Sequence, residues 1–260
     1  MKRIDYCIFD PTGNITALAE TPVPAEGQPA AAAELMKAEP SVEQVGFVSG
    51  AALRMAGGEF CGNGAACAAA LRVMRGEAEG EVSVAVSGAA APVAVKVTAR
   101  GGGGFGVAVA MPRAVSVGLR VLPLCGGEAE LPVVSFGGIS HIILEKEIAP
   151  SDAERAIIEW SEALGGGAVG IMTVDSDFTR MTPLVCVPGA GTLVRESSCA
   201  SGAAAVAEYY GAKNGFGFEL ELAQPGGTAR VSGGPEGVVL SETVRFLKKV
   251  TVAGGNYVDR

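Results

Sequence analysis

Two cysteines of this 260-residue chain stand in the same local grammar. Cys61 lies in GGEFCGNGAACAAAL, Gly57 to Leu71, and Cys199 in ESSCASGAAAVAEYY, Glu196 to Tyr210. In each, a short turn of small residues follows the cysteine and an Ala-rich run follows the turn. Gly62, Asn63 and Gly64 all tolerate positive φ, which reads as a turn. Ala65 to Leu71 then reads as helix, because Ala and Leu are strong helix formers. Both sulfurs are therefore expected at helix N-termini, where unpaired N–H groups and the helix dipole favour negative charge. Such a setting can lower a thiol from about 8.5 to roughly 3.5–7.5. The same N–H groups, around Gly62 and Asn63 and around Ala200 and Ser201, could hold a substrate carboxylate.

One cysteine ahead of an Ala-rich helix is ordinarily a small buried hydrophobe. Repetition changes that reading. Aligned on the cysteines, Gly64 matches Gly202, Ala65 matches Ala203 and Ala66 matches Ala204, about half the chain apart. This points to an internal duplication that contributes one thiol from each half. Two thiols facing one carbon from opposite sides form a base–acid pair: one thiolate removes a proton and the opposite thiol returns one. The chemistry is racemisation or epimerisation without a cofactor.

The elements that must position these thiols read as follows. Tyr6 to Phe9 is a buried strand, Pro11 to Asn14 a turn, and Ile15 to Ala19 a returning strand. Asn14 in that turn is a candidate contact for the substrate's amino or carboxylate group. Ala30 to Lys37 reads as helix. Gln44 to Val48 and Ala52 to Met55 are short strands leading to Cys61. Glu81 to Val86, Val93 to Ala99 and Val107 to Met111 follow as strands, and Ala114 to Leu122 reads as the crossing to the second half. Val133 to Phe136 and His141 to Leu144 are strands. Ser151 to Leu164 is helical, with Ser151 as N-cap and Ala156, Ile157, Trp160 and Leu164 at helical spacing, and Gly165 to Gly167 ends it. Val169 to Val174, Thr182 to Val187 and Thr192 to Val194 are strands, the last feeding the Cys199 turn. Gly217 to Leu222, Thr228 to Ser232, Gly237 to Leu240 and Val244 to Val252 are strands. The class is α+β, with the site between the halves.

Composition excludes several alternatives. The formal net charge is -8 and no basic run occurs, which argues against nucleic acid or an anionic membrane as partner. No apolar run reaches membrane-span length. The N-terminus MKRIDYCIFD has no following apolar stretch and reads as no signal peptide, so a reducing cytoplasm is expected. The six cysteines form no CxxC, and a single histidine, His141, leaves no zinc-ligand spacing. No metal is expected. Gly101, Gly103 and Gly106 make a Gly-x-Gly-x-x-Gly pattern, but strand-like residues follow it, whereas a dinucleotide loop must lead into a helix.

FCGNGAACAA (Phe60 to Ala69) and SCASGAAA (Ser198 to Ala205) resemble the two cysteine motifs of the diaminopimelate epimerase-like superfamily of cofactor-independent amino-acid racemases and epimerases. TGNITAL (Thr12 to Leu18) resembles its early Gly-Asn segment, with Asn14 matching. GISH (Gly138 to His141) matches its Asn-Pro-His segment in Gly138 and His141. The resemblance covers nearly the whole chain. It implies two mirrored domains, each a strand layer wrapped on a central helix, over residues 1–115 and 116–243, with segment 244–260 returning to the first. It implies Cys61 and Cys199 as the acid/base pair in the interdomain cleft. His141 and Glu196 would tune the thiols, and a homodimer would be common.

The departures bear on substrate. ALRMAGGEF before Cys61 has no Asn, Ile139 replaces the Asn of Asn-Pro-His, GIMTV (Gly170 to Val174) lacks the nearby Asn, and the loop at Arg195-Glu196-Ser197 is shortened. The recognition of a distal amino-acid group looks lost. MAGGEFCGN together with ESSC is closer to the histidine racemase branch. Diaminopimelate epimerisation, a phenazine-type isomerase of the same architecture, and a non-catalytic amino-acid binding protein are the competing readings.

Overall fold

The computed structural model describes residues 3–165, 167–234 and 236–253. Its first half opens with β1 (Arg3–Pro11) and β2 (Thr16–Ala19), an antiparallel hairpin. Helix α1 (Gln28–Ala38) follows, then β3 (Gln44–Ser49), β4 (Ala52–Met55) and helix α2 (Gly62–Met74). Strands β5 (Glu81–Val86), β6 (Val93–Gly101) and β7 (Gly104–Ala110) complete it. The Gly-rich segment is the β6–β7 hairpin, with Gly101 opposite Gly104, and so leads from strand to strand.

The second half holds β8 (Ser116–Leu124), β9 (Gly127–Ser135), β10 (Ile139–Leu144), α3 (Pro150–Ala163), β11 (Ala168–Val174), β12 (Met181–Val187) and β13 (Thr192–Arg195). Helix α4 (Ala200–Asn214), β14 (Phe218–Gln224), β15 (Gly227–Gly234) and β16 (Gly237–Ala253) end the described chain.

The fold is mixed α/β with two sheets. In the larger, strands run β1-β2-β3-β4-β5-β6-β7-β16-β15-β14, and β16 also pairs with β1, closing an eight-strand barrel. The smaller runs β13-β12-β11-β10-β9-β8. Helix α2 contacts all eight barrel strands. A barrel of that size has an interior just wide enough for side chains, and α2 meets it with Ala65, Ala66, Cys67, Ala68, Ala69 and Ala70, all buried. Helix α4 is likewise buried from Ala200 to Ala207, against β9, β10 and β11 of the smaller sheet and β14, β15 and β16 of the larger. Helix α3 lies against β8, β11 and β12, anchored by the buried Trp160, whose Nε1 donates to the Pro123 carbonyl at 2.8 Å.

Four local expectations need correction. Gly62 and Gly64 are not in a positive-φ turn; they are the first turn of α2 itself. Residues 114–122 are not a bare crossing, since most of them form β8, paired antiparallel with β9. Ser151 does not cap α3; the N-cap is Ala149 and Pro150 takes the first helical position, where its missing N–H costs nothing. The two strands expected at 237–240 and 244–252 are one 17-residue strand, because Glu242 continues the inward alternation of Val238, Leu240 and Val244. Gly166 of the Gly165–Gly167 stop, and residues 254–260 of the returning segment, lie outside the described residues.

Candidate active site

Each thiol is the N-cap of its helix. Cys61 has φ −137° and ψ 114°, and its Sγ accepts from the Gly64 N–H at 3.2 Å. Cys199 has φ −129° and ψ 106°, and its Sγ accepts from the Gly202 N–H at 3.4 Å. The glycine three residues on serves the same purpose in both. A Cβ on Gly64 would come within 2.9 Å of the Met55 sulfur, and one on Gly202 within 2.1 Å of the Met172 sulfur. Both helix starts thus sit directly on a methionine of the sheet beneath.

The two N-termini face each other. A Cβ on Gly62 would lie 2.8 Å from that of Ala200, and Asn63 Nδ2 donates to the Ser198 carbonyl at 3.0 Å. Between them a cavity of about 290 Å³ is lined by Cys61, Asn63, Cys199, Ala200 and Ser201. Glu43, Gln44, Glu59 and Glu196 supply its other charged and amide groups, and α1 contributes an apolar wall through Ala32, Ala33 and Met36. Gly62 stands behind this lining, at the contact between the helices.

The thiols are not lowered in this cavity. Burial raises both well above the ordinary range and outweighs the helix N–H groups. For Cys61, the carboxylates Glu196 and Glu59 add to the rise. The Cys61 thiol donates to Gln44 Oε1 at 3.1 Å. Cys199 is hydrogen-bonded to the Glu196 side chain, its Sγ lies 3.6 Å from Ser201 Oγ, and its N–H donates to Gln224 Oε1 at 2.7 Å. Glu196 is itself pushed up to about 8 by burial, with Glu43 and Glu59 adding repulsion. Burial thus favours neither Glu196 nor Cys199 as an isolated anion.

His141 is fully buried in β10, and its Nε2 is 3.0 Å from Ser201 Oγ. It therefore reaches Cys199 through Ser201. Burial lowers it to about 3, so the imidazole is neutral. Its ring needs Gly170 opposite it in β11: a Cβ there would fall 2.3 Å from His141 Nδ1. Gly170, the first residue of the GIMTV segment, leaves the room for this ring.

Asn14 does not line the cavity. It is fully buried beneath it, donating through Nδ2 to Glu43 Oε2 at 3.1 Å and accepting from Gln44 Nε2 at 2.5 Å. Glu43 in turn accepts from the Ser197 N–H at 2.9 Å and from the Ser197 hydroxyl. Adjacent residues at the start of β3 therefore touch both halves of the site: Gln44 holds Cys61, and Glu43 holds the segment before Cys199. Sequence reading missed Glu43, Gln44, Glu59 and Gln224. A Glu-Gln pair ahead of the apolar run VGFV was the one visible signal; nothing marks Gln224.

A family model described as the histidine racemase CntK N-terminal domain matches residues 3–253. A histidine racemase from Fusobacterium nucleatum subsp. nucleatum is 32% identical over 219 residues, covering 80% of this chain and 81% of that protein. Among solved structures, a predicted epimerase from Pseudomonas aeruginosa superposes with TM-score 0.67 at 19% identity, covering 98% of this chain and 100% of that one. A hydroxyproline epimerase from Agrobacterium vitis superposes with TM-score 0.63 at 16% identity, covering 98% and 94%. These two likenesses show a shared fold.

Proposed function

We propose that this chain, which belongs to the histidine racemase family, inverts the α-carbon of histidine with Cys61 and Cys199 as a thiolate–thiol pair. It is an isomerase of the amino-acid racemase class. The observation that carries the mechanism is the matched setting of the two thiols, each an N-cap, each held by the N–H three residues on, both on one cavity. That matching also supports reading the chain as a pseudo-symmetric pair of units, 1–115 and 116–243, with segment 244–260 returning to the first.

In one direction, Cys199 loses its proton to Glu196 and the resulting thiolate takes the Cα proton. The Cα–H electron pair moves into the substrate carboxylate as an enediolate. Cys61 gives its thiol proton to the opposite face of Cα, leaving the inverted amino acid and a Cys61 thiolate. The reverse direction exchanges the roles. N–H groups at Asn63, Ala200 and Ser201 meet the substrate carboxylate, where charge builds up, while Gly62, behind the lining, does not reach it. His141 holds Ser201, and Asn14 holds Glu43 and Gln44. No cofactor enters this sequence.

Proton NMR in D₂O with a panel of single L-amino acids and diaminopimelate tests this reading. Loss of the Cα proton signal is expected for histidine. Exchange of diaminopimelate in its place, or of nothing in the panel with the thiols reduced, would overturn it.

A further inference from the structure

The backbone leading into Cys199 is tied group by group, and the ties come from distant parts of the chain. The Ser197 N–H donates to Glu43 Oε2 at 2.9 Å, and the Ser197 carbonyl accepts from the Gly226 N–H at 2.7 Å. The Ser198 carbonyl accepts from Asn63, and the Cys199 carbonyl from the Ala203 N–H at 2.9 Å. The Cys199 N–H, on the same residue as the reacting sulfur, donates to Gln224 Oε1 at 2.7 Å.

In a capping box, the N-cap N–H is taken by a Glu or Gln side chain three residues on. In α4 that position is Gly202, where a Cβ would lie 2.1 Å from the Met172 sulfur. The helix therefore cannot supply the bond, and Gln224 supplies it from the end of β14. The turn that carries Gln224 is itself wedged in place. Gln224 pairs with Gly227 across it, and the Ala223 N–H donates to the Thr179 carbonyl at 2.8 Å. A Cβ on Gly226 would lie 2.7 Å from Gly13 Cα and 2.9 Å from Ser197 Cβ. The turn thus sits between the β1–β2 turn and the segment before the thiol.

Gln224 is buried and does not line the cavity. Its Nε2 has no hydrogen-bond partner among the described residues. A buried donor left unpaired costs stability, and an apolar side chain of the same length would remove it. What the amide does is hold one atom, the Cys199 nitrogen. The other thiol is held differently: Gln44 takes the Cys61 sulfur itself, at 3.1 Å.

We propose that Gln224 is a positioning residue of the racemisation, fixing the N-cap backbone of Cys199 so that its sulfur stays aligned with the substrate's Cα. This rests on the two-thiol reading and extends it to a residue outside the cavity. Misplacing a reacting group by about 1 Å can cost 10²-fold. Gln224 acts on one thiol only, so its loss slows the proton transfers of Cys199 and spares those of Cys61.

The test is the deuterium isotope effect on kcat/KM, measured with Cα-deuterated L-histidine and D-histidine and the thiols reduced. Wild type, Gln224→Met, Gln224→Asn, Gln224→Glu and Gln44→Ala are compared, with folding checked by circular dichroism. Cys199 takes the Cα proton from one enantiomer and Cys61 from the other. In Gln224→Met, kcat should fall by about 10–10²-fold with KM within a few-fold of wild type. The isotope effect should rise for the enantiomer that Cys199 deprotonates. It should fall for the other, where return of a proton from Cys199 becomes limiting. Gln224→Asn, one methylene too short, should split the two in the same sense and Gln44→Ala in the opposite sense. Gln224→Glu, which keeps an acceptor at the same reach, should lie between Gln224→Met and wild type. Isotope effects that stay paired in Gln224→Met and Gln224→Asn, or failure of both to fold, overturn this proposal and leave the racemase reading standing. Absence of racemisation by wild type overturns both.

Discussion

Asn63 of α2 donates to the carbonyl of Ser198 at 3.0 Å, joining the helix behind one thiol to the residue before the other. The bond spans 135 positions of sequence and is buried. It fixes the separation of the two N-termini independently of any ligand. Asn63→Ala leaves the Ser198 carbonyl buried without this donor, so stability should fall by about 1–3 kcal/mol. Exchange of the Cα proton should fall by more than the stability loss accounts for, because the two thiols lose their registration. A urea melt and the exchange assay, run on the same preparation, separate the two effects.

Cys61→Ser and Cys199→Ser each replace a thiol with a hydroxyl far too weakly acidic for the same proton transfer. General acid–base groups contribute typically 10²–10⁴-fold, and each variant should lose racemisation by about that factor while its melt stays close to wild type. Alkylation with iodoacetamide should abolish turnover, and bound histidine should slow that alkylation. Full activity in either single variant would remove the pair from the mechanism.

The duplicated cysteine motif was legible because its cause is local. An N-cap, a glycine three residues later and an Ala-rich helix all lie within one short stretch, so both thiols and both helices could be read directly. The strands around them were also legible, since apolar runs in β1, β10 and β11 need no distant partner to be recognised. What could not be read was set by distance in sequence. Glu43 reaches Ser197 across 154 positions, and Gln224 reaches Cys199 across 25. No local pattern distinguishes Gln224 from a solvated surface residue, and Glu43 is marked only by its place in the Glu-Gln pair ahead of VGFV. Asn14 was read as a substrate contact, but its oxygen and nitrogen are both taken by Gln44 and Glu43. The expected lowering of the thiols failed for another reason: burial depends on the whole barrel and cannot be judged from one helix end.

Gly202 tests whether the helix start must rest on the sheet. A Cβ there would lie 2.1 Å from Met172 Sδ and 3.2 Å from Cys199 Sγ. Its φ is not in the left-handed region, so space alone is at issue. Overpacking of this kind costs typically 1–3 kcal/mol. Gly202→Ala should melt earlier by that amount and shift the Cys199 sulfur from its N–H donor. Met172→Ala on top of it opens the space and should recover part of the lost activity, and no recovery would mean that the glycine matters for some reason other than room.

Stability and activity should move in opposite directions with pH. Glu196 has a folded value of about 8 against an ordinary 4.5, and Glu242, buried in β16, about 7. A raised carboxyl favours the folded state while protonated. Its contribution is complete below about 4.5 and is lost as pH rises through 7 to 8. His141 acts at the other end: lowered to about 3 from 6.5, it favours folding above 6.5 and loses that contribution as pH falls toward 3. Glu145 and Asp175 are lowered instead, but they are solvent-exposed and their pairs are screened. The urea midpoint should therefore be highest in mildly acidic solution and decline from pH 6 to 9, and Glu196→Gln should flatten part of that decline. Racemisation needs Glu196 in its basic form to accept the Cys199 proton, so turnover should climb over the same interval. A midpoint independent of pH between 6 and 9, in wild type and Glu196→Gln alike, would show that Glu196 carries its charge throughout and is not the group that shares a proton with Cys199.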